Sequence, residues 1–335
     1  RSFTEETKYY AWEWAKYGTL FTKEFVADRK IYHGMEVNSV KSRLDYDLWC
    51  LNKNMEAGMD AWYFDEIQTT ADQNPYAGAG WFNQEGLVEG EGHLFALRDF
   101  LKRLYTMMVD RGYQEPVIVM HMTDTMYAGP LSFATVTCDY EYAQNDPGKR
   151  LLLLRRGLEG FRTTAMGHQY GLVGTVINTE AASPYIRFGD YQPVRNWEGM
   201  QLLHDLNFQM NPYTWTDRGI VKVLSDFGYF EDDCRFIGYW KAHGRLYDVE
   251  PEHIKVSVYR RGNKALLVFL NTRNQDTLAL WRPKAETGMT GNLSDADPMR
   301  GYIFWHTDQN ERGFRKIFVP AYDYRLVLVD CQGNW

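Results

Sequence analysis

The feature that most constrains this chain is a repeated change of apolar period: from about residue 42, helix-spaced stretches alternate with short strand-like runs, and glycines punctuate the changes. Ser42 and Asp45 resemble a capping box with Asp in place of Glu, and predict an amphipathic helix from Asp45 to Ala57, stopped by Gly58. A strand from Asp60 to Asp65 follows. A polar, glycine-rich loop then leads to a second helix, His93 to Asp110, stopped by Gly112, and to an apolar strand, Pro116 to His121. Further along, Ala134 to Glu141 and Gly171 to Asn178 read as strands, with Arg150 to Gly160 as a helix between them.

Repeated helix and strand units of this size build parallel strands joined by right-handed crossovers, either as a barrel ringed by helices or as an open doubly wound sheet. The phosphate-binding loops GxGxxG and GxxxxGK[ST] are absent, which favours a (β/α)8 TIM-type barrel. The last third changes character. Ile254 to Tyr259, Lys264 to Leu270 and Tyr324 to Val329 are short runs separated by turns, and predict an antiparallel C-terminal β-sandwich. A boundary near Pro251 divides the chain into a barrel region, 1–248, and a sandwich region, 249–335. About five barrel strands are readable, whereas a complete barrel closes on eight. Residues 1–32 read as helix and loop without a first strand, so the barrel is expected to lack its N-terminal part; the alternative is that 1–41 and 180–245 hide the remaining strands.

Composition removes several function classes. With 44% hydrophobic and 24% charged residues over 335 positions, the chain is neither disordered nor a single small module. A formal charge of −7 without a basic block argues against nucleic acid as the main partner. No apolar run is long enough for a membrane span, and the start lacks a signal-peptide pattern. Cys50, Cys138, Cys234 and Cys331 form no CxxC or Cys/His cluster, and the eight histidines show no HxH or HExxH spacing, so no metal and no cofactor is expected. A nucleophile elbow GxSxG is absent, and His168 with Ser183 has no motif support as part of a triad. Aromatic residues reach 16%, and their flat amphipathic rings suit either core packing or stacking on sugars.

Carboxylates carry the remaining chemistry. Asp65 and Glu66 end an apolar strand, and in barrels that end faces the active-site mouth. Adjacent side chains on a strand point to opposite faces, so both reach one substrate only where the strand turns into its loop at Glu66. A solvated strand end is the plainer reading of the dipeptide alone. Its context adds weight, because His121 and Asp124 lie at the corresponding end of the next strand and Asp139 and Glu141 at that of the one after. A structural histidine at 121 and a rim salt bridge at Glu141 are the plainer alternatives.

The blocks GMDAWYFDE (Gly58 to Glu66), LRDFLKRL (Leu97 to Leu104), VIVMHM (Val117 to Met122) and LSFA (Leu131 to Ala134) resemble the glycoside hydrolase family 123 type and related (β/α)8 proteins, over about residues 35–335. The resemblance implies a retaining β-N-acetylgalactosaminidase-like activity in which the substrate's own 2-acetamido oxygen is the nucleophile. It implies that Asp65 orients the acetamido group and that Glu66 protonates the leaving oxygen and then activates water. Burial beside Trp62, Phe64 or Trp81 would supply the raised pKa an acid needs. His121, Asp124, Glu141, Trp62 and Trp81 are then candidate substrate-binding residues. The implied partner is an oligosaccharide or glycoconjugate, met in an extracytoplasmic compartment; a homo-oligomer is left open. On this resemblance, the family's N-terminal β-sandwich and first barrel strands are expected to be missing from these 335 residues. Two other readings stand beside this one: a non-catalytic carbohydrate-binding barrel, and a glycosidase of other specificity using separated carboxylates such as Asp65 and Glu141.

Overall fold

The computed structural model describes residues 9–25, 30–37, 40–65, 80–90, 94–121, 128–139, 151–165, 171–176, 191–208, 215–289, 293–297, 312–333 and 335. They fall into two compact units, Arg1–Cys138 and Asp139–Trp335. The boundary expected at 248/249 lies within the strand Tyr247–Glu250 of the second unit.

Among its described residues the first unit has a helical turn, Ala11–Trp14, and an antiparallel pair, β1 (Ala15–Phe25) with β2 (Lys30–Val37). This corrects the reading of the opening residues as helix and loop: β1 carries a register irregularity between Ala15 and Leu20 that breaks a clean two-residue alternation, so the strand leaves no simple signature. Helix α1 (Lys41–Glu56) begins earlier than the sequence suggested. Its N-cap is Val40, without a side-chain cap. Ser42 instead accepts a 3.1 Å bond from Trp14 Nε1 and donates to the Glu13 carboxylate, so the expected capping box is spent on tertiary contacts.

Two helices feed the strands that matter most. Helix α1 precedes β3 (Ala61–Phe64), and α2 (Leu94–Asp110) precedes β6 (Val117–His121). Both helices end on a glycine with positive φ, +95° at Gly58 and +89° at Gly112, which L side chains rarely adopt. The residue after each glycine donates back to the last turn: Met59 to Asn54 O at 3.1 Å and Tyr113 to Met108 O at 3.2 Å. Each helix therefore stops abruptly, and the chain reverses into a strand. Helix α2 buries Phe100, Leu101, Leu104 and Met108, one apolar stripe at helical spacing, each side chain stabilising by about 1.5–3 kcal/mol. Strand β6 lies parallel between β3 and β7 (Val136–Asp139), as crossover helices require. Between β3 and α2 the chain also forms a small hairpin, β4 (Trp81–Phe82) with β5 (Val88–Glu89).

The second unit contains helix α3 (Leu152–Ala165), interrupted at Gly157, then β8 (Val173–Val176), α4 (Gln192–Leu203), β9 (Asn207–Phe208) and α5 (Trp215–Phe227). Strands β8 and β9 are parallel. The helix predicted to end at Gly160 thus runs on to Ala165, past the non-helical Gly157. Among the described residues the parallel strands are β3, β6, β7, β8 and β9, and no closed barrel is formed by them.

Two antiparallel sheets follow. One contains β10 (Arg235–Ile237), β12 (Ile254–Arg261), β13 (Lys264–Asn271), β17 (Tyr324–Asp330) and β15 (Ser294–Asp295), in the order β10-β12-β13-β17-β15. The other orders β11 (Tyr247–Glu250), β14 (Thr277–Pro283) and β16 (Arg315–Val319). Strand β13 reads as one apolar run because both of its faces are covered. Ala265, Leu267 and Phe269 join Trp281 and Ile317 in one core, while Leu266, Val268 and Leu270 join α4 and α5 in another. Helix α4 is buried almost throughout, and Gly199 is where it approaches most closely: a Cβ there would stand 2.9 Å from Leu270 Cδ1 and from Tyr324 Cβ. Sheet side chains satisfy its terminal carbonyls, Tyr259 OH donating to Leu202 O at 2.6 Å and Ser257 Oγ to Leu203 O at 2.7 Å.

None of the four cysteines is in a disulfide. Among the described residues no helix is long and apolar enough to cross a membrane.

Candidate functional site

Register alone brings the first two candidates together. Phe64 of β3 is paired with Met120 of the parallel strand β6, so the next residues, Asp65 and His121, leave the two strand ends side by side. Alternation places Tyr63 and Asp65 on one face of β3 and Trp62 and Phe64 on the other. The second face is the helix side: Phe64 packs edge-to-face on Phe100 of α2, with ring centroids 5.5 Å apart, and Trp62 is buried.

On the opposite face His121 Nδ1 stands 2.7 Å from Asp65 Oδ1 and 2.9 Å from Tyr63 OH. A carboxylate only accepts, so with Asp65 ionised the imidazole carries its proton on Nδ1 and donates it, a charge-assisted bond. The exposures make this asymmetric. His121 is 2% exposed and Asp65 is 64% exposed. A buried, packed ring therefore fixes the direction of a carboxylate that solvent and a ligand can reach. Cys138 of β7 is paired with His121 in the ladder and is buried, which extends the row of polar side chains to a third strand.

The structure thus joins Asp65 with His121 and adds Tyr63. Sequence reading passed over Tyr63, although its position two residues before Asp65 on a strand was the available signal. Trp62 sits on the other face of β3 from Asp65, and Trp81 stands on the β4–β5 hairpin with 53% of its surface exposed. Glu66, Asp124 and Glu141 lie outside the described residues, as does the side chain of Asp139. Among the described residues no group of three His, Cys, Asp or Glu side chains could hold a metal ion.

No protein-family model matches the chain, and no curated protein matches it in sequence. Solved structures do. A noncanonic maltogenic α-amylase from Thermotoga neapolitana is similar over 92% of this chain and 70% of its own, with a TM-score of 0.50 at 12% identity. An α-amylase from H. orenii matches over 96% and 74%, at 0.48 and 12%. A GH30 endoxylanase from Clostridium papyrosolvens matches over 94% and 77%, at 0.45 and 10%. What the chain shares with the amylase from Thermotoga neapolitana is the fold.

Proposed function

We propose that this chain is a glycoside hydrolase in which Asp65 is a catalytic carboxylate. The observation that carries the reading is the solvent-reached Asp65 carboxylate at the end of a parallel strand, held by the buried His121 of the neighbouring strand. The parallel strands then belong to a (β/α)8 barrel, whose strand ends of this polarity form the active-site mouth, and the antiparallel sheets to a C-terminal β-sandwich. In its finer form the substrate is a terminal β-linked 2-acetamido sugar, and the pair is Asp65 with Glu66. The acetamido oxygen attacks C1 as the glycosidic C–O bond breaks, and Glu66 gives its proton to the leaving oxygen. Asp65 accepts the N–H of the oxazolinium that forms. Water then attacks C1 and returns a proton to Glu66, and the acetamido group is regenerated with the β configuration retained.

The division of labour suits the local chemistry. Donation from His121 fixes the direction of the Asp65 carboxylate, and a carboxylate held this way accepts the acetamido N–H and stabilises positive charge on that nitrogen. The test is release of p-nitrophenol from β-linked N-acetylgalactosamine, N-acetylglucosamine and galactose glycosides, by the wild type and by Glu66→Gln. Cleavage of an acetamido glycoside but not the galactoside, falling by about a hundredfold or more in the variant, is expected. Equal cleavage of the galactoside would overturn substrate assistance, and undiminished activity in the variant would remove Glu66 from the reaction.

A further inference from the structure

We propose that the β4–β5 hairpin is a preformed sugar-stacking arm, which receives a pyranose ring of a neutral oligosaccharide on the indole of Trp81, with Glu89 beside it as a hydrogen-bond acceptor. The proposal rests on the glycosidase reading for its substrate class, and on the hairpin's own geometry for the site. The hairpin occupies the connection from β3 to α2, so the chain enters it from the strand end that bears Asp65. In barrel enzymes connections of this type build the substrate site.

Three features distinguish it from an ordinary exposed turn. Trp81 and Glu89 are directly opposite one another across the ladder, which places an aromatic face and a carboxylate on the same side. That pairing matches a pyranose, whose axial C–H face packs on a ring while its rim hydroxyls donate to a carboxylate. The frame is also fixed by its own hydrogen bonds. Asn83 Oδ1 accepts from the backbone N–H of Glu85 at 3.0 Å and of Leu87 at 2.9 Å, and the Asn83 backbone donates to Leu87 O at 2.8 Å. The Asn83 side-chain amide in turn donates to Glu89 Oε1 at 3.1 Å, so the carboxylate is oriented before any ligand arrives. Pre-ordering of this kind lowers the entropy lost on binding. Lastly, Trp81 and Phe82 are both 53% exposed, although adjacent strand residues face opposite ways, so the hairpin offers apolar surface on both sides.

The carboxylate also sets a specificity. Glu89 beside the stacking ring accepts from hydroxyl or amide donors and repels an anionic sugar, so neutral glycans bind and uronic ones are rejected. The experiment is isothermal titration of the full chain with chitotetraose, maltotetraose and xylotetraose, and with tetragalacturonate. At least one neutral tetrasaccharide is expected to bind the wild type, with tetragalacturonate weaker. Trp81→Ala is expected to weaken the neutral ligand by about tenfold or more, Trp81→Tyr by no more than about threefold, and Glu89→Gln is expected to narrow the gap to tetragalacturonate. Unchanged affinity in Trp81→Ala, or no neutral ligand bound by the wild type, overturns the arm; an unchanged gap in Glu89→Gln overturns its charge selectivity. The two readings fail separately. If Trp81→Ala loses a ligand that the wild type binds, while the wild type cleaves none of the three aryl glycosides, the arm stands and the acetamido-sugar reading is refuted; cleavage with unaltered binding does the reverse.

Discussion

Replacing Arg195 with methionine removes the centre of a buried ionic group and tests how the second unit is held together. Arg195 projects from α4 and makes a two-pronged contact with Asp297, at 3.0 and 2.7 Å, while its Nε donates to Asp323 at 2.6 Å and its Nη2 also to Tyr324 O at 2.7 Å. Asp297 is fully buried. Burial alone would lower the Arg195 pKa, yet Asp323, Tyr324 and Asp297 together raise it well above the ordinary value, so the guanidinium is charged at every accessible pH. Removing one member of a buried pair costs about 3–5 kcal/mol, mostly because the other charge is stranded. Here Arg325 still reaches Asp297 at 3.0 Å and the Tyr324 N–H still donates to Asp323 at 2.6 Å, which places the expected loss near the lower end, about 3 kcal/mol. With a urea slope of about 1–3 kcal/mol per M, the midpoint falls by about 1 M or more, followed by circular dichroism and tryptophan fluorescence. Adding Asp297→Asn removes the stranded charge, so the double variant should lose less than the sum of the two single losses. A single variant within about 1 kcal/mol of the wild type, or strictly additive losses, refutes this account.

Burial pulls the His204 imidazole from 6.5 down to about 4, and its Nδ1 donates to Met200 O at 2.7 Å. The unfolded chain binds that proton first, so stability contributed by neutral His204 is complete above about pH 6.5 and declines as pH falls towards 4, by roughly 3 kcal/mol in all. Thermal midpoints at pH 7 and pH 4.5 should therefore differ less in His204→Phe than in the wild type; an identical difference would contradict this. Gly199→Ala forces a methyl against Leu270 and Tyr324, with an expected loss of about 1–3 kcal/mol in urea titrations, and no loss would mean that α4 stands off the sheet. On the glycosidase reading His121→Gln frees Asp65 to rotate, lowering kcat by about tenfold to a hundredfold with KM nearly constant. A change confined to KM would instead make His121 a substrate contact.

What the sequence made legible was local. Gly58 and Gly112 marked helix ends because positive φ is a property of single residues, and the apolar runs at β3, β6 and β13 were long enough to stand out. Helix α4 was invisible for the opposite reason. Its Arg195, Asn196, Glu198 and Gln201 interrupt any apolar period, and they are buried only because partners such as Asp297, Tyr322 and Tyr324 arrive from distant positions. Asp65 and His121 were legible as residues at neighbouring strand ends, and the register sets them side by side. Trp62 illustrates the limit, since strand parity assigns it to the face away from Asp65, and that parity was readable before any coordinates.

The partners of α4 have a temporal side as well. Arg195 precedes Asp323 by 128 positions and Glu198 precedes Tyr324 by 126, so on a ribosome this helix emerges long before the strand that will cover it. A wholly apolar segment would spend that interval as a sticky target for other nascent chains. A segment carrying arginine, asparagine, glutamate and glutamine can wait in water, and becomes interior only when β17 arrives. Nascent chains halted before residue 323 should accordingly leave 192–203 open to protease, and chains extended beyond β17 should protect it.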